Sequence, residues 1–440
     1  KMSTNQNKSS KIIAIITMMF LYAMISFVTN LAAPIGNVWK AQPGIDGSNT
    51  LGMMGNMMNF LAYLFMGIPA GKMLIKRGYK NTALIAIAVG FIVVLVQFLS
   101  GQVDLGLIGG VPSAFFVYLL GAFIAGFSVC MLNTVVNPML NTIGGGGNKG
   151  NQLNMIGGTL NSLAGTITPM FVGALIGEVT KDTVLTDVNP VLIIAMCVFA
   201  AAFLILLFIP IQNPDNTSSN VTFERSPWAF RHFVLGTIAI FVYVGVEVGI
   251  PGTLNFYLSD VTNGAGSMFT NPATIAGFVA GTYWFMMLIG RLVGSFISGK
   301  VSSKSMLTVV SLVAIILIVI AMFTPSSVTC KMPVFTGKSF AMQTVPLSAL
   351  LLVLCGLCTS VMWTGIYNLS VEGLGKYTAL ASGIFMMMVV GGGVLPLVQN
   401  FIADKAGYMI SYVVPVIALA YMFYYALIGS KNVNKDIKID

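Results

Sequence analysis

The chain has 440 residues, of which 56% are apolar and only 8% are charged, and its mean hydropathy is +0.89. Soluble domains carry about 25% charged residues, so this composition excludes a soluble protein and predicts one that crosses a membrane many times. The formal net charge of +9 does not indicate nucleic-acid binding, because the basic residues are scattered over short segments between apolar runs.

Twelve apolar runs follow one another along the chain, and each is long enough to cross a hydrocarbon core of about 30 Å. We therefore predict an all-α membrane protein with twelve transmembrane helices. The predicted helices lie at 12–39, 51–75, 82–100, 114–142, 152–177, 188–210, 233–258, 274–299, 305–324, 345–371, 378–402 and 409–429.

Lys and Arg residues are unevenly distributed between the two sets of helix ends. Of the 22, 17 lie on the side of the two termini and five lie on the opposite side. Because cytoplasmic loops carry the excess of Lys and Arg, both termini are predicted to be cytoplasmic. We expect a multi-pass protein of a bacterial-type inner membrane.

The most polar run in the middle of the chain lies at 211–231. We interpret it as a cytoplasmic linker between an N-terminal six-helix half at 1–210 and a C-terminal six-helix half at 232–440. It is too short for a folded domain of its own.

A spacing is repeated about half the chain apart. Lys149 and Pro169 are separated by 20 residues, and so are Lys376 and Pro396. Such repeats predict two structurally similar halves, which are typical of one large class of membrane transporters.

Amide side chains are concentrated in the fourth and fifth predicted helices. Asn133, Asn137 and Asn141 recur every four residues and therefore share one helix face. The fifth helix carries a stripe of polar and small residues, namely Asn154, Gly158, Asn161, Gly165 and Thr168. Because amides cost free energy in hydrocarbon unless they find partners, the two stripes are expected to face each other or a water-filled cavity.

One acidic residue is exceptional among the thirteen. Glu247 lies near the middle of a predicted helix, where an ionisable side chain is costly and usually functional. It could bind a ligand, carry a proton or make a structural bond. Pro251 removes the backbone hydrogen bond to the Glu247 carbonyl, which predicts a broken or bent helix there.

Arg291 is the only cation well inside a predicted helix. The predicted helix centres place it about 10 Å nearer the cytoplasm than Glu247, at 1.5 Å per residue. We therefore predict that Arg291 has a gating or packing role rather than a direct pairing with Glu247.

The remaining candidates favour a neutral ligand with many hydroxyl groups. Amides donate and accept hydrogen bonds together, and the candidate amides are Asn30, Asn59, Asn133, Asn137, Asn161, Asn255 and Asn368. Trp284 and Trp363 could stack on the apolar face of a sugar ring, although core packing or an interfacial position is the alternative for each. Buried countercharges are too few for an organic ion.

The segment Gly67–Lys80 follows the second predicted helix and contains closely spaced glycines and basic residues. Lys76 and Arg77 are predicted to act in gating or packing, or as topology anchors. The spacing resembles the signature loop of the major facilitator superfamily, with Lys72 at a position where an acid is usual.

Several further motifs agree with one family of that superfamily. They are Asn133–Pro138, Gln152–Asn154, Leu160–Ser162, Tyr243–Gly249, Tyr283–Trp284, Gly290–Arg291, Glu372–Lys376, Ala381–Gly383 and Gly391–Gly392. In these motifs the chain resembles the fucose:proton symporter family of sugar transporters, over most of its length. The resemblance implies the major facilitator fold with two pseudo-symmetric halves, alternating access, and a monosaccharide such as fucose, glucose or galactose.

The sequence departs from this family where the family carries its proton-binding acids. The first-helix position falls at Asn30-Leu31, and the fourth-helix position matches Asn133. Asn161 matches a family asparagine, but Gly158 stands where the family has glutamine. Either Glu247 carries the proton, or sodium is the coupling ion as in some glucose transporters of the family, or the protein is an uncoupled sugar facilitator.

Two other functions remain open. The protein could transport a different small solute, such as a peptide or drug, or it could be an intramembrane enzyme or sensor. The predicted helices contain no Ser/His pair, metal-ligand cluster or phosphate loop, so we predict a transporter without cofactor or metal. The expected partners are a sugar, a coupling cation (H⁺ or Na⁺) and the lipid bilayer, without nucleic acid, and the expected state is a monomer.

Overall fold

The computed structural model describes residues 2–45, 48–102, 106–143, 147–176, 182–211, 222–336 and 338–440. Helices account for most of these residues. Up to residue 211 they are α1 (Met2–Lys40), α2 (Asn49–Gly52), α3 (Met54–Arg77), α4 (Tyr79–Ser100), α5 (Ser113–Ile143), α6 (Gly147–Ile176) and α7 (Asn189–Phe208). We call these helices the N-terminal half.

The C-terminal half consists of the helices from Arg231 onward. They are α8 (Arg231–Ser259), α9 (Pro272–Ile297), α10 (Ser303–Phe323), α11 (Leu347–Thr359), α12 (Met362–Val371), α13 (Thr378–Met387), α14 (Gly391–Ala406), α15 (Tyr408–Ser411) and α16 (Val413–Tyr424). Short 3₁₀ turns lie at Leu185–Val188, Pro227–Ala229, Gly266–Met268, Gly375–Tyr377 and Met388–Val390, and a π-helical turn lies at Tyr425–Gly429.

The helices agree with the twelve predicted spans. Eleven stretches of the described residues are helical, long enough and apolar enough to cross a membrane. The remaining predicted span, 152–177, lies on α6, whose many glycines and amides lower its hydropathy. Residues 212–221 of the predicted linker at 211–231 lie outside the described residues, and the boundaries 1–210 and 232–440 stay predictions.

The helix ends define two ends of the bundle. α1 ends at Lys40, whose ammonium lies 3.7 Å from the ring centroid of Phe256 near the end of α8, and we call this the Lys40 end. At the opposite end the N–H of Lys376 donates to the carbonyl of Ile439 in the C-terminal tail (3.0 Å), and we call this the tail end.

Two antiparallel hairpins lie at the Lys40 end, and the sequence did not predict them. The first pairs β1 (Leu107–Ile108) with β2 (Val111–Pro112), and the second pairs β3 (Thr329–Phe335) with β4 (Phe340–Pro346). The second packs on α9, where the rings of Phe335 and Phe340 lie 5.3 and 5.2 Å from that of Phe285. Membrane hydropathy carries no signal for such a hairpin, because only its packed face is apolar.

The helix is not broken at Pro251, because α8 continues through this residue. Contacts with α9, α11, α12, α14 and α16 surround α8, and such packing lets a membrane helix keep a proline. Breaks occur instead between α11 and α12, at Ser360 and Val361, and at the 3₁₀ turn Met388–Val390 between α13 and α14.

The halves meet along two seams, α3 against α13 and α14, and α6 against α9. Glycines bring the first seam together. A Cβ atom added to Gly67 would lie 2.6 Å from the backbone nitrogen of Met387 and 2.8 Å from the carbonyl oxygen of Gly383. These close approaches hold the helices that flank the space between the halves.

Replacing Gly126 with alanine is expected to destabilise the N-terminal half. A Cβ there would lie 1.9 Å from the carbonyl oxygen of Asn59 and 2.6 Å from the Cβ of Ala62, so α5 must move away from α3. Overpacking of this kind costs about 1–3 kcal/mol. The midpoint of thermal unfolding in detergent measures it, with Gly277→Ala as the control because nothing lies within 4 Å of its added Cβ. Equal midpoints in the two variants would contradict the prediction.

Candidate functional site

A cavity with an empty volume of about 790 Å³ lies between the two halves. This volume includes space that is open to solvent. Its polar and tryptophan side chains are Tyr22, Ser26, Thr29, Asn30, Tyr63, Asn133, Asn154, Asn161, Glu247, Trp284, Arg291, Trp363 and Thr364. We call it the main cavity.

A tyrosine joins the two predicted amide stripes on the N-terminal side. The Tyr22 hydroxyl donates to Asn137 Oδ1 and to Asn154 Oδ1 (3.2 Å), and Asn154 Nδ2 donates to the carbonyl of Asn137 (3.3 Å). The stripe of α5 therefore faces the stripe of α6, as the spacing predicted. Asn161 Nδ2 donates to the carbonyl of Tyr22 (3.0 Å), which attaches α1 to the same network.

A second tyrosine supports Asn133. Asn133 Nδ2 donates to the Tyr63 hydroxyl (2.9 Å), and Asn137 Nδ2 donates to the Asn133 carbonyl (2.9 Å). Asn30 is held within its own helix, with Nδ2 donating to the carbonyl (2.8 Å) and Oγ (3.0 Å) of Ser26. Asn133 and Asn30 each keep an Oδ1 atom to which a hydroxyl group in the main cavity can donate.

A smaller cavity of about 250 Å³ lies on the tail side of the main cavity. Its lining residues are Asn137, Asn141, Asn151, Asn154, Trp363, Thr364, Tyr367 and Asn368, and three of them, Asn154, Trp363 and Thr364, also line the main cavity. A polar region therefore continues from the main cavity toward the tail end.

Glu247 and Arg291 form the only ion pair among the described residues, with Nη2 3.6 Å from Oε1. Their side chains are only 14% and 8% exposed. The prediction that they do not pair is therefore wrong. α9 begins at the Lys40 end, and helical side chains lean toward the N-terminus of their helix, so Arg291 extends along the membrane axis toward Glu247.

The Arg291 guanidinium also contacts two other helices. Nε donates to the carbonyl of Ser360 at the break after α11 (3.1 Å). Nη1 donates to the carbonyl of Gly158 (2.9 Å) and to Ser162 Oγ (2.9 Å), and lies 3.4 Å from Asn161 Oδ1, all on α6. The side chain thus joins the C-terminal half to the N-terminal half at the cavity wall.

The two predicted tryptophans both line the main cavity from the C-terminal half. Each is partly buried, and each packs on other aromatic rings: Trp284 on Tyr283 (5.5 Å between centroids) and Trp363 on Phe385 (5.7 Å). These edge-to-face ring contacts help to hold each indole in place at the cavity wall.

A polar cluster closes the Lys40 end across the two halves. Lys40 Nζ donates to Asn49 Oδ1 (2.8 Å), and Asn49 Nδ2 donates to Asp404 Oδ1 (3.1 Å) and to the Tyr408 hydroxyl (2.8 Å). Thr50 Oγ1 donates to Asp404 Oδ2 (2.6 Å). We call this the Lys40–Asp404 cluster; none of its residues was predicted to belong to the site.

Asp260 extends the cluster, and its carboxylate is held in the charged form. Burial opposes its ionisation, but the N–H groups of Asn263 and Thr262, the Tyr408 hydroxyl and the charge of Lys40 outweigh burial and lower the pKa of Asp260 below its usual value. The stabilisation from a lowered pKa is complete above the ordinary value near 4 and is lost only as the pH falls through the lower, folded-state value. The cluster therefore keeps this charge throughout the neutral range.

A comparison with protein families decides what this architecture is. The family model described as Major Facilitator Superfamily matches residues 13–396. The chain belongs to the major facilitator superfamily. It is therefore a member of a family of membrane transporters and not of an enzyme family, and its all-α fold of two helical halves is the major facilitator fold.

Relatives within the superfamily cover nearly the whole chain. The glucose/galactose transporter of Brucella abortus is 30% identical over 442 residues, 98% of this chain and 96% of the relative. The putative glucose/galactose transporter of Helicobacter pylori is 26% identical, over 97% and 98%. The L-fucose-proton symporter of Escherichia coli is 24% identical, over 85% and 83%.

Solved structures agree with the fold. A crystal structure of a variant of the Escherichia coli fucose:proton symporter matches with a TM-score of 0.72 and 19% identity, over 96% of this chain and all of that chain. A structure of that symporter in the outward conformation matches with a TM-score of 0.70 and 18% identity. At these identities the likeness concerns the fold alone.

The structure brings most of the predicted site residues of this major facilitator protein together. Asn30, Asn133, Asn161, Glu247, Trp284, Arg291 and Trp363 line the main cavity, and Asn137 and Asn368 line the smaller one. Asn59 and Asn255 line neither, and their Oδ1 atoms are buried without a hydrogen-bond partner. Lys76 and Arg77 are exposed in the last turn of α3, at the tail end.

Tyr22 and Tyr63 line the main cavity but were not predicted as site residues. Each is a tyrosine within an apolar run, and most such tyrosines pack in the core. Nothing in the sequence pattern therefore distinguishes these two as residues of the site. The described residues contain no group of three or more His, Cys, Asp or Glu side chains that could hold a metal ion.

Proposed function

We propose that this chain carries a neutral monosaccharide of the hexose type across the membrane through the main cavity by alternating access. The main support for this proposal is the chemistry of the cavity wall. Amides and phenols supply donors and acceptors, and the two charges, on Glu247 and Arg291, neutralise each other. A wall without net charge suits hydroxyl groups better than an organic ion.

The relatives support this substrate class. Three of them carry the names glucose/galactose transporter, putative glucose/galactose transporter and L-fucose-proton symporter. Asn133 and Asn161 are the proposed hydrogen-bonding residues for sugar hydroxyls, with Asn30 beside them, and Trp284 and Trp363 are the proposed stacking surfaces. Asn137 and Asn368 would contact a sugar on its way toward the tail end.

We propose Glu247 as the residue that binds the coupling cation. It is the only carboxylate in the cavity wall, and intramembrane carboxylates are typical of proton and ion pathways. One relative is named as a proton symporter, which favours H⁺ over Na⁺. The alternative is a facilitator in which the ion pair never opens.

The proposed location is a bacterial inner membrane, with both termini in the cytoplasm and the protein acting as a monomer. The positive-inside rule supports this orientation. With it, the Lys40–Asp404 cluster closes the outer side, and the polar region continues from the main cavity toward the cytoplasm. Alternating access then requires the cluster to open while α5, α6 and α12 close the tail side.

The test is transport by the purified protein in proteoliposomes. Counterflow of radiolabelled glucose, galactose and fucose establishes whether sugar crosses, and imposed H⁺ or Na⁺ gradients establish coupling. We expect gradient-driven accumulation in the wild type and its loss in Glu247→Gln, with counterflow still measurable. Glu224→Gln, a change of the same chemistry at an exposed position, should accumulate sugar normally.

The other outcomes are equally definite. Counterflow that responds to neither gradient would make the protein a facilitator and remove the coupling role of Glu247. Absence of counterflow with every monosaccharide would contradict sugar transport and favour a different small solute.

A further inference from the structure

The Arg291 guanidinium contacts several neutral acceptors in addition to the carboxylate of its ion pair. Its neutral acceptors are the carbonyls of Ser360 and Gly158, Ser162 Oγ and, at 3.4 Å, Asn161 Oδ1. Glu247 is the single charged partner. Because carbonyl and hydroxyl oxygens satisfy its N–H groups, Arg291 can stay in place when the carboxylate is neutralised.

Glu247 has the Tyr243 hydroxyl, on its own helix, as a neutral hydrogen-bond partner. Among the described residues its only positively charged neighbour is Arg291, and a buried carboxylate without a countercharge takes up a proton instead. The pair is therefore asymmetric, with a fixed guanidinium and a carboxylate whose charge can change.

The same geometry discriminates between the two coupling ions. Na⁺ would have to enter a place already occupied by a guanidinium nitrogen 3.6 Å from the carboxylate, and the two cations would repel each other. A proton adds to the carboxylate oxygen itself and cancels its charge without needing further oxygen ligands.

The contacts of Arg291 also depend on how the halves are placed. Gly158, Asn161 and Ser162 belong to α6 of the N-terminal half, whereas Glu247 and Ser360 move with Arg291 in the C-terminal half. The absent side chain of Gly158 gives the arginine room, since a Cβ there would lie 3.3 Å from Arg291 Cδ. Separation of α6 from α9 at this depth removes the acceptors on α6 and leaves Glu247 and the Ser360 carbonyl as the remaining partners.

We infer that Arg291 is a positioning residue that links the charge of Glu247 to the contact between α6 and α9, and that the ion bound by Glu247 is a proton. With α6 and α9 in contact, Arg291 tolerates a neutral Glu247; with them apart, it favours the charged carboxylate and so promotes proton release. By linkage, protonation favours the α6–α9 contact to the same degree. The inference rests on the sugar:cation symport proposed above.

Other titratable groups near Glu247 do not change charge in the relevant range. They are Tyr243 on its own helix, Tyr283 on α9 and Tyr63 on α3. A phenol ordinarily ionises near pH 10. Among these groups, a change in the transport rate between about pH 5 and 8 would therefore reflect protonation of Glu247.

The experiment compares pH profiles of sugar counterflow in wild type, Arg291→Gln and Arg291→Lys. A cation within 4–6 Å stabilises the charged form of a carboxylate and shifts its titration by about one to three pH units. Removing the charge of Arg291 should therefore raise the pH midpoint of counterflow by that amount. Arg291→Lys keeps the charge and should remain within about one unit of wild type. Arg231→Gln, an exposed arginine at the start of α8, should leave the profile unchanged.

A second measurement does not depend on the Arg291 variants. Sugar added to lightly buffered wild-type protein in detergent should cause proton uptake near the midpoint, and Glu247→Gln should show none. An unshifted midpoint in Arg291→Gln, sugar binding without proton uptake, or uptake driven by a Na⁺ gradient would overturn the inference and leave sugar transport standing. Absence of counterflow with any sugar would remove the basis of both.

Discussion

Cross-linking position 50 to position 404 is expected to stop sugar uptake almost completely. Thr50 Oγ1 lies 2.6 Å from Asp404 Oδ2, across the two halves at the Lys40 end. A disulfide keeps its two Cα atoms within about 4.4–6.8 Å, so it would hold this end closed. Because alternating access requires the Lys40 end to open once per cycle, we expect uptake to fall more than tenfold and to recover with reductant.

The chain contains thiols that must be removed first. Cys197 is exposed and Cys330 is partly exposed, whereas the other three cysteines are buried. The test therefore combines Thr50→Cys and Asp404→Cys in a background with Cys197→Ala and Cys330→Ala. Loss of maleimide labelling after oxidation measures the extent of cross-linking, and radiolabelled sugar uptake is followed in the same proteoliposomes.

A matched control places the cross-link within one half. Ser302 and Ser305 lie on the C-terminal half with their Oγ atoms 2.9 Å apart. Oxidation of Ser302→Cys with Ser305→Cys should leave uptake as it was, because both residues move together. Undiminished uptake after complete cross-linking of 50 to 404 would show that this end does not open during transport.

Asn133→Leu is expected to weaken sugar binding by roughly tenfold to a hundredfold. Asn133 is buried in the cavity wall, its Nδ2 donates to Tyr63, and its Oδ1 has no hydrogen-bond partner among the described residues. Leucine has a similar shape but removes the acceptor for a sugar hydroxyl and leaves the Tyr63 hydroxyl unpaired. An unmade buried hydrogen bond costs about 1–3 kcal/mol, which corresponds to this loss of affinity.

The matched control is Asn255→Leu, the same chemical change in a residue that lines neither cavity. The Oδ1 atom of Asn255 is buried without a partner, so leucine should be tolerated and the KM for counterflow should stay close to wild type. Equal KM values for the two variants would contradict a sugar contact at Asn133. A raised KM in Asn255→Leu alone would indicate that the sugar binds near the C-terminal end of α8 instead.

Periodicity and hydropathy predicted much of this molecule. The runs of apolar residues located the transmembrane helices, because hydrocarbon requires such lengths. The four-residue spacing of Asn133, Asn137 and Asn141 predicted a shared face, since the angle between residues on one helix follows from 3.6 residues per turn. The rarity of a carboxylate within an apolar run identified Glu247 as a candidate.

The tertiary structure decided everything that depends on how one helix is placed against another. Rotation and tilt determine that Asn133 lines the main cavity while Asn59 and Asn255 do not, and no spacing within a helix contains that information. The Lys40–Asp404 cluster joins residues more than 350 positions apart. The pairing of Arg291 with Glu247 was missed because rise per residue gives the axial position of a Cα atom, whereas the side chain of Arg291 extends back toward the start of α9.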